Sequence, residues 1–511
     1  MIEKKQINAG IDKIKKKRNL AKEFFSRRQH PVIILKYAAK YLWLLVIPLA
    51  KYLIATKFNL QAWIRANWVD ILTVSVIIGY AFLRWVFVYF KIEENAIIAR
   101  TGYFGITRTV VYFNEISSAS FSQGVFFRMI NACSVYIDTD AKSISSADIS
   151  LNLTEKQAFR IYGLISEKSS CKPALTYKAG KRNLVAFSFV FSSALSGVAL
   201  ALTAMYEVYN VVGRETEELF FRQVNERIEN LPAISSIPKY ILWAGIVIAG
   251  GWLLSFTANL MRHWNFTCQR RGDVLFINSG IGTRRRHILY RNKINYTDFQ
   301  QSMLMKLFNV CSVSVNCTGY GKRRGEISAL APVTTGKQAA NSIKILMPHI
   351  TDDRLDNLEI KTGKADVGRY ITIPIIWAII PSAVYYIVAV RLFHDFVFFN
   401  KWGKEIRMFV IILTIPLLWR VFIRLTAAFT TGMKIDDKNC TLSYCRGFKF
   451  HKVVMDRDKI VMVRVLQNPF QTISRTCNVY VYSRNENTKK HILRGLNYKK
   501  VTKLLEKNGL R

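Results

Sequence analysis

The chain has 511 residues, half of them hydrophobic, and a formal net charge of +40 at pH 7. A large soluble protein and a membrane protein with soluble parts both fit that composition. Runs of 23, 22 and 21 residues without Asp, Glu, Lys or Arg, at Leu184 to Tyr206, Tyr240 to Met261 and Tyr370 to Val390, exclude the first, because about 20 apolar residues cross a bilayer core and buried helices of soluble proteins seldom stay charge-free so long.

In chain order, residues 1–31 are a basic segment in which Ile11, Ile14, Leu20, Phe24 and Phe25 sit among lysines and arginines. It reads as a basic, partly amphipathic helix on the inner membrane face or as a basic tail. Residues 32–90 hold a first apolar pair. Val32 to Ala55 carries Lys36, Lys40 and Lys51, and Trp68 to Phe90 carries Asp70 and Arg84 near its ends. Long cationic side chains near an end snorkel to the interface. Both segments are therefore expected to span, with an interfacial position as the alternative for the first. A strand-rich unit follows over 91–170. A second pair occupies 184–261 around an outer loop at 207–239, and a second unit 262–350. A third pair, with Arg420 inside it, occupies 370–425, and a third unit 432–511.

The three units share a fingerprint. A strand runs into Gly102, Gly280 or Gly447, an isoleucine follows at Ile116, Ile294 and Ile460, a glutamine at Gln123, Gln301 and Gln467, and a cysteine at Cys133, Cys311 and Cys477. The last two steps are 7 and 10 residues in every copy. Such recurrence behind each apolar pair marks an internal repeat. Cys133, Val135 and Ile137, with their counterparts Cys311, Val313, Val315 and Cys477, Val479, Val481, alternate as one buried strand face. Thr154-x-x-Gln157 and Thr335-x-x-Gln338 read as capping boxes opening a closing helix.

Charge sets the expected orientation. Residues 1–40, 91–183, 262–369 and 424–511 hold 61 of the 74 Lys and Arg residues, and the loops 51–67, 207–239 and 391–407 hold 11. The positive-inside rule puts both termini and all three units in the cytoplasm. All eight cysteines fall in those cytoplasmic segments, where free thiols are expected. The basic excess beside apolar segments favours anionic phospholipid of the inner leaflet over nucleic acid.

With Arg28-x-His30-Pro31 ahead of the first apolar segment, the strand–Gly turn, the Ile-x6-Gln step and Gln-x9-Cys-[Ser/Asn]-Val, residues 28–511 resemble the bacterial pleckstrin-homology-like membrane proteins, the YdbS/YdbT-like group. The resemblance implies a PH-like fold, a bent antiparallel sheet capped by a helix. The third unit departs from it by one residue fewer between Gly447 and Ile460 and by Pro469 after Gln467. The expected fold class is a membrane α-helical plus β protein: six transmembrane helices in three pairs, each followed by a cytoplasmic PH-like antiparallel β domain with a C-terminal helix.

Three sets of residues are candidates for contacts. Gln123, Gln301 and Gln467 either bond backbone across a domain contact or satisfy a local turn, a glutamine having two donors and an acceptor. Apolar Phe126, Leu304 and Phe470, three positions on, are candidates for inter-domain or subunit contact. Arg108, Arg286 and Lys452 are candidates for lipid phosphate or for a solvated face. No His-Glu-x-x-His, Walker loop, Gly-x-Ser-x-Gly or Cys-x-x-Cys occurs, so no catalytic, cofactor or metal residues are expected. Asp70 is the one acid within an expected span, which counts against an ion-coupled pump. The leading expectation is a non-enzymatic, multi-pass inner-membrane protein. Its PH-like domains serve assembly or scaffolding in envelope maintenance, toxic-peptide resistance or export, with self-association or a second PH-like membrane protein as partner. A transporter or lipid-handling protein and an anionic-lipid sensor are the rivals.

Overall fold

The computed structural model describes residues 28–39, 67–93, 95–101, 107–141, 147–167, 175–192, 239–321, 329–335, 358–363, 367–388, 397–484 and 489–509, with single positions at 41, 61, 64 and 65. The segment before Arg28, most of Val32 to Ala55, the end of Leu184 to Tyr206, the outer loop to residue 238, Gly102 and Gln338 lie outside them.

Among the described residues three helices are long and apolar enough to cross a membrane: Trp68–Phe87, Tyr370–Val388 and Val410–Thr430. They expose large apolar side chains, among them Leu72, Val76, Ile376, Ile380, Ile411 and Leu418. Apolar surface of that extent marks a membrane-associated protein. The segment from Tyr240 to Met261 lies within a 25-residue helix, Lys239–His263.

Unit 1 consists of two antiparallel meanders. The first is β1 (Tyr89–Ile92), β2 (Ala96–Thr101) and β3 (Thr107–Tyr112). The second is β4 (Ile116–Gln123), β5 (Ala132–Thr139) and β6 (Ile149–Thr154), followed by the helix Glu155–Glu167. Its capping box forms, since Thr154 N donates to Gln157 Oε1 at 3.1 Å and Gln157 N to Thr154 Oγ1 at 3.4 Å. After β7 (Leu175–Lys178) comes unit 2: β8 (Thr267–Arg271), β9 (Val274–Ser279) and β10 (Arg284–Tyr290), then β11 (Ile294–Ser302), β12 (Val310–Cys317) and β13 (Ala329–Thr335). After β14 (Ile360–Lys361), unit 3 repeats the plan. It has β15 (Gly432–Ile435), β16 (Asn439–Arg446) and β17 (Lys449–Asp456), then β18 (Ile460–Leu466), β19 (Thr476–Ser483), β20 (Lys489–Asn497) and the helix Tyr498–Lys507.

The isoleucine, glutamine and cysteine landmarks fall at equivalent places in the three units. Each isoleucine opens the fourth strand of its unit, each glutamine lies within one residue of that strand's end, and each cysteine begins the face of the fifth. Cys133, Val135, Ile137 and their six counterparts are all buried. The glycine landmark shifts in unit 3. Arg285 pairs with Ser279, and the equivalent His451 pairs with Tyr444, so Cys445 takes the place of Gly280. The β16–β17 ladder continues for two more pairs to a tight turn at Gly447. The β9–β10 ladder stops earlier because Gly280 N donates to Trp264 O and Ile281 N to Met261 O, tying that turn to the end of the helix Lys239–His263. Gly280 has φ +91°, and a Cβ there would lie 2.2 Å from Thr283 O, so only glycine fits.

Two features of the chain path position everything else. First, the residues ahead of each apolar pair lie beside the first strand after it: Arg28 bridges Tyr89, β7 pairs with β8, and β14 pairs with β15. In units 1 and 3 the same segment also reaches the last strand, through His30 N to Asn152 O and the bridge Thr362–Leu496. It thus closes the unit between its two meanders, and the apolar pair is inserted within the fold. The Arg28-x-His30-Pro31 motif lies at this closure, where Trp85 Nε1 donates to Gln29 O at 2.8 Å and Arg28 bonds Val86 O.

Second, the units pair with one another. β4 of unit 1 is antiparallel to β10 of unit 2, and β11 of unit 2 to β17 of unit 3, with six residue pairs each. Two seven-stranded sheets result, β6-β5-β4-β10-β9-β8-β7 and β13-β12-β11-β17-β16-β15-β14. The cores follow the sheets. On β9 and β10, Leu275, Ile277 and Leu289 enter the core of unit 2. Val274, Phe276 and Ile288 on the opposite face complete the core of unit 1. Tyr296 of unit 2 likewise joins the core of unit 3.

Two expected outcomes follow. Ile288 is fully buried in the core of the neighbouring unit. Ile288→Ala should cost about 2–5 kcal/mol, and pulse proteolysis should then cleave unit 1 as readily as unit 2. Asn131, Asn309 and Arg475, two residues before each landmark cysteine, all have φ near +50°. Asparagine tolerates that conformation better than arginine. Arg475→Asn should therefore stabilise unit 3 by about 0.5–1 kcal/mol, read as a raised Tm.

Candidate functional site

Most of the residues singled out from the sequence gather at two places, the tip helices and the joints between units. A short helix follows the fourth strand of each unit: Val125–Met129, Met303–Leu307 and Pro469–Ile473. The glutamine before it closes its own loop. Gln123 Nε2 donates to Ala132 O at 3.2 Å, Gln301 Nε2 to Val310 O at 3.1 Å, and Gln467 Nε2 to Thr476 O at 2.8 Å. The turn reading accounts for all three side chains. The backbones of Gln123 and Gln301 also lie in the joints, opposite Arg284 and Phe450.

With the loops fixed, the tip helices present apolar side chains outward. Phe126, Leu304 and Phe470 are 53%, 46% and 73% exposed, and Met129, Leu307 and Ile473 are more so than their partners in each tip. The tips lie level with the ends of the apolar helices. Arg128 of the first tip donates to Ile281 O and Gly282 O in the turn tied to the helix Lys239–His263. Met303 of the second packs with Ile423 and Ala427 of the helix Val397–Thr430.

The three basic candidates separate. Arg286 lies in the first joint opposite Phe121, with its guanidinium 4.7 Å from the ring centroid of Phe159. Lys452 lies in the second joint opposite Phe299. Arg108 occupies the equivalent position on β3, which pairs only with β2 and leaves its other edge open among the described residues.

The joints also hold buried polar pairs that the spacing did not reveal. Ser120 Oγ and His287 Nδ1 are 2.8 Å apart in the first. In the second, His451 Nδ1 donates to Asp298 Oδ2 at 2.9 Å, and Gln300 Nε2 donates to the same oxygen. Buried hydrogen-bonded pairs of this kind fix register, because a slipped ladder would strand them without partners. Cys133 and Cys311 have thiols pushed up to about 11 by burial, and burial raises Cys440 to about 12. These thiols stay protonated at neutral pH and serve as core side chains.

Residues 32–169 and 226–344 match the model of the bacterial PH domain, and together they take in half of the chain. The chain belongs to the bacterial PH domain family. No curated protein and no solved structure matches it. Both bacterial PH domain matches begin ahead of the strands, the first in the apolar segment at residue 32 and the second before the helix Lys239–His263. The matched unit therefore contains membrane-associated segments together with its sheets. Unit 3 lies outside the matched residues, yet it has the strand order, tip helix and buried face of the other two.

The glutamine lock has a measurable contribution. Thr476 is buried, and its carbonyl accepts from Gln467 at 2.8 Å. Gln467→Leu should lower stability by about 1–3 kcal/mol, seen as an earlier denaturation midpoint with unchanged membrane insertion.

Proposed function

We propose that this protein is a non-enzymatic scaffold of the bacterial inner membrane. Three bacterial PH domain units are joined edge to edge on the cytoplasmic side and held against the bilayer by six spans. The observation that carries this reading is the pair of strand joints. They turn three repeats into one rigid row, an arrangement suited to assembly rather than to turnover. The hydrogen-bonded closure at the base of each apolar pair favours entry and exit on one side, as the charge distribution does. The exposed tip apolars at the level of the helix ends favour shallow contact with the interfacial region.

Among the described residues the row has two open ends. β3 of unit 1 is equivalent to β10 and β17, and β18 of unit 3 is equivalent to β4 and β11. Open edges with apolar residues are templates for further pairing, and Val110, Tyr112, Val461 and Met462 are exposed there. In both internal joints the residue two before the glutamine faces the basic landmark, Phe121 opposite Arg286 and Phe299 opposite Lys452. The same register sets Val465 of one copy opposite Arg108 of the next, and Val463 opposite Val110. A heterologous contact of this type yields rings or rows in the membrane plane.

Val110→Cys and Val463→Cys expressed as separate tagged chains should give a disulfide-linked heterodimer in native membranes. Thr109→Cys with Val463→Cys, one residue out of register, should not. Linkage of neither pair, with monomers by native mass spectrometry, contradicts self-association. Capture of a second bacterial PH domain chain on the same edges would put that protein in place of the copy. Reagents that do not cross the membrane should label a cysteine introduced within 207–238 from the outside. Labelling there from the cytoplasm alone contradicts the topology.

A further inference from the structure

A cavity of about 460 Å³ lies where the third apolar pair meets unit 3. Its walls differ in chemistry. Ile373 and Trp377 of the helix Val367–Tyr385 supply an apolar side, and unit 3 supplies Asn478 and Arg494. Arg420 and Arg424, on the helix Val397–Thr430, complete the lining. Among the described residues no carboxylate lines the cavity. Arg424 is close enough to feel the charge of both Arg420 and Arg494, and among the described residues none of the three has an acidic partner. Three guanidinium groups turned toward one partly desolvated space repel one another, and an anion among them relieves that repulsion. Arginine is also the side chain best matched to phosphate oxygens, which its planar fork binds in pairs.

The position of the cavity selects among anions. The helix ends at Thr430, so Arg424 and Arg420 lie about 9 and 15 Å back along its axis at 1.5 Å per residue. That range runs from the headgroup level into the upper acyl region. Trp377 beside them has the amphipathic ring that favours this zone. The polar rim is held before any ligand arrives. Gln471 Nε2 donates to Asn478 Oδ1 at 3.2 Å, Gly495 N donates to the same oxygen at 3.3 Å, and Tyr370 OH donates to Arg494 O at 3.0 Å. A site with a cationic polar end, an apolar end and a fixed rim fits an amphiphile better than a free ion.

We propose that this cavity binds one anionic phospholipid. The phosphate lies among Arg420, Arg424 and Arg494, and the glycerol and first acyl carbons lie against Ile373 and Trp377. The site is separate from the basic landmarks of the strands, and it ties the third apolar pair to unit 3 through a lipid.

The test uses the full chain in phosphatidylcholine nanodiscs titrated with phosphatidylglycerol, with retained lipid counted by native mass spectrometry after release. The wild type should retain one phosphatidylglycerol per chain. Arg424→Gln with Arg494→Gln should weaken retention by roughly tenfold, and Trp377→Ala should weaken it as well. Lys503→Gln with Lys507→Gln, which removes the same charge from the helix Tyr498–Lys507, should leave it within about twofold of wild type. If the double arginine variant is unstable by thermal melt, Arg494→Gln alone is read, since Arg494 is exposed and its backbone carbonyl still accepts from Tyr370. Retention by the arginine variants equal to wild type overturns the proposal, as does equal loss in the lysine control. Displacement of the lipid by millimolar inorganic phosphate with no effect of Trp377→Ala also overturns it, by assigning the cavity to a free anion.

Discussion

Backbone pairing across the repeats, β4 to β10 and β11 to β17, is the interaction on which the rest of this molecule depends. It creates the two seven-stranded sheets. It also buries both faces of β9 and β10, so Val274, Phe276 and Ile288 leave their own unit and complete the core of the preceding one. Each fully buried side chain of this size contributes about 1.5–3 kcal/mol, and cross-strand pairs add about 0.2–1 kcal/mol each. A unit that closes its core with its neighbour's strands has no independent boundary. The three repeats are one structure for the same reason that two halves of a sheet are.

The second constraint is where the apolar helices enter the chain. Each apolar segment of the sequence lies between a closing stretch of chain and the first strand of its unit, with Arg28 bridged to Tyr89, β7 beside β8 and β14 beside β15. An apolar segment inserted there cannot move far without opening the ladder at its base. The strand joints and these closures together fix the tip helices level with the helix ends, which is how an exposed apolar side chain such as Phe470 comes to line a cavity with the apolar helices that precede its unit. A cationic cavity at the same level follows from the same placement, because it forms only where helix and strand walls are held together.

Much of this was legible in the residues. The landmark cysteines sit on equivalent strands because alternation with Val135, Ile137 and their counterparts is a local signal of a buried face. The capping box at Thr154 was legible for the same reason: two residues three positions apart decide it. The joints were not. Strand edges carry no local signature of their partner, and Ser120–His287 and Asp298–His451 are separated by 167 and 153 residues. The misplacement of Gly447 against Gly280 has a similar origin, since what ends the β9 ladder is its bond to the helix Lys239–His263. The left-handed Asn131 and Asn309 were a readable turn signal, an asparagine two residues before a cysteine in two copies, and Arg475 in the third hid it. Arg424 and Arg494 were out of reach, because the cavity unites residues 70 positions apart.

Amide hydrogen exchange on the full chain in nanodiscs, resolved to single residues, tests the joints most directly. In an isolated hairpin only alternate amides of β10 and β17 are protected, those that point to β9 and β16. With the joints formed, the intervening amides bond to β4 and β11, and every amide along the paired stretch should exchange as slowly as those of the central strands β5, β9, β12 and β16. Fast exchange at the alternate amides of β10 and β17 that face the neighbouring unit, matching an open edge, would contradict the account.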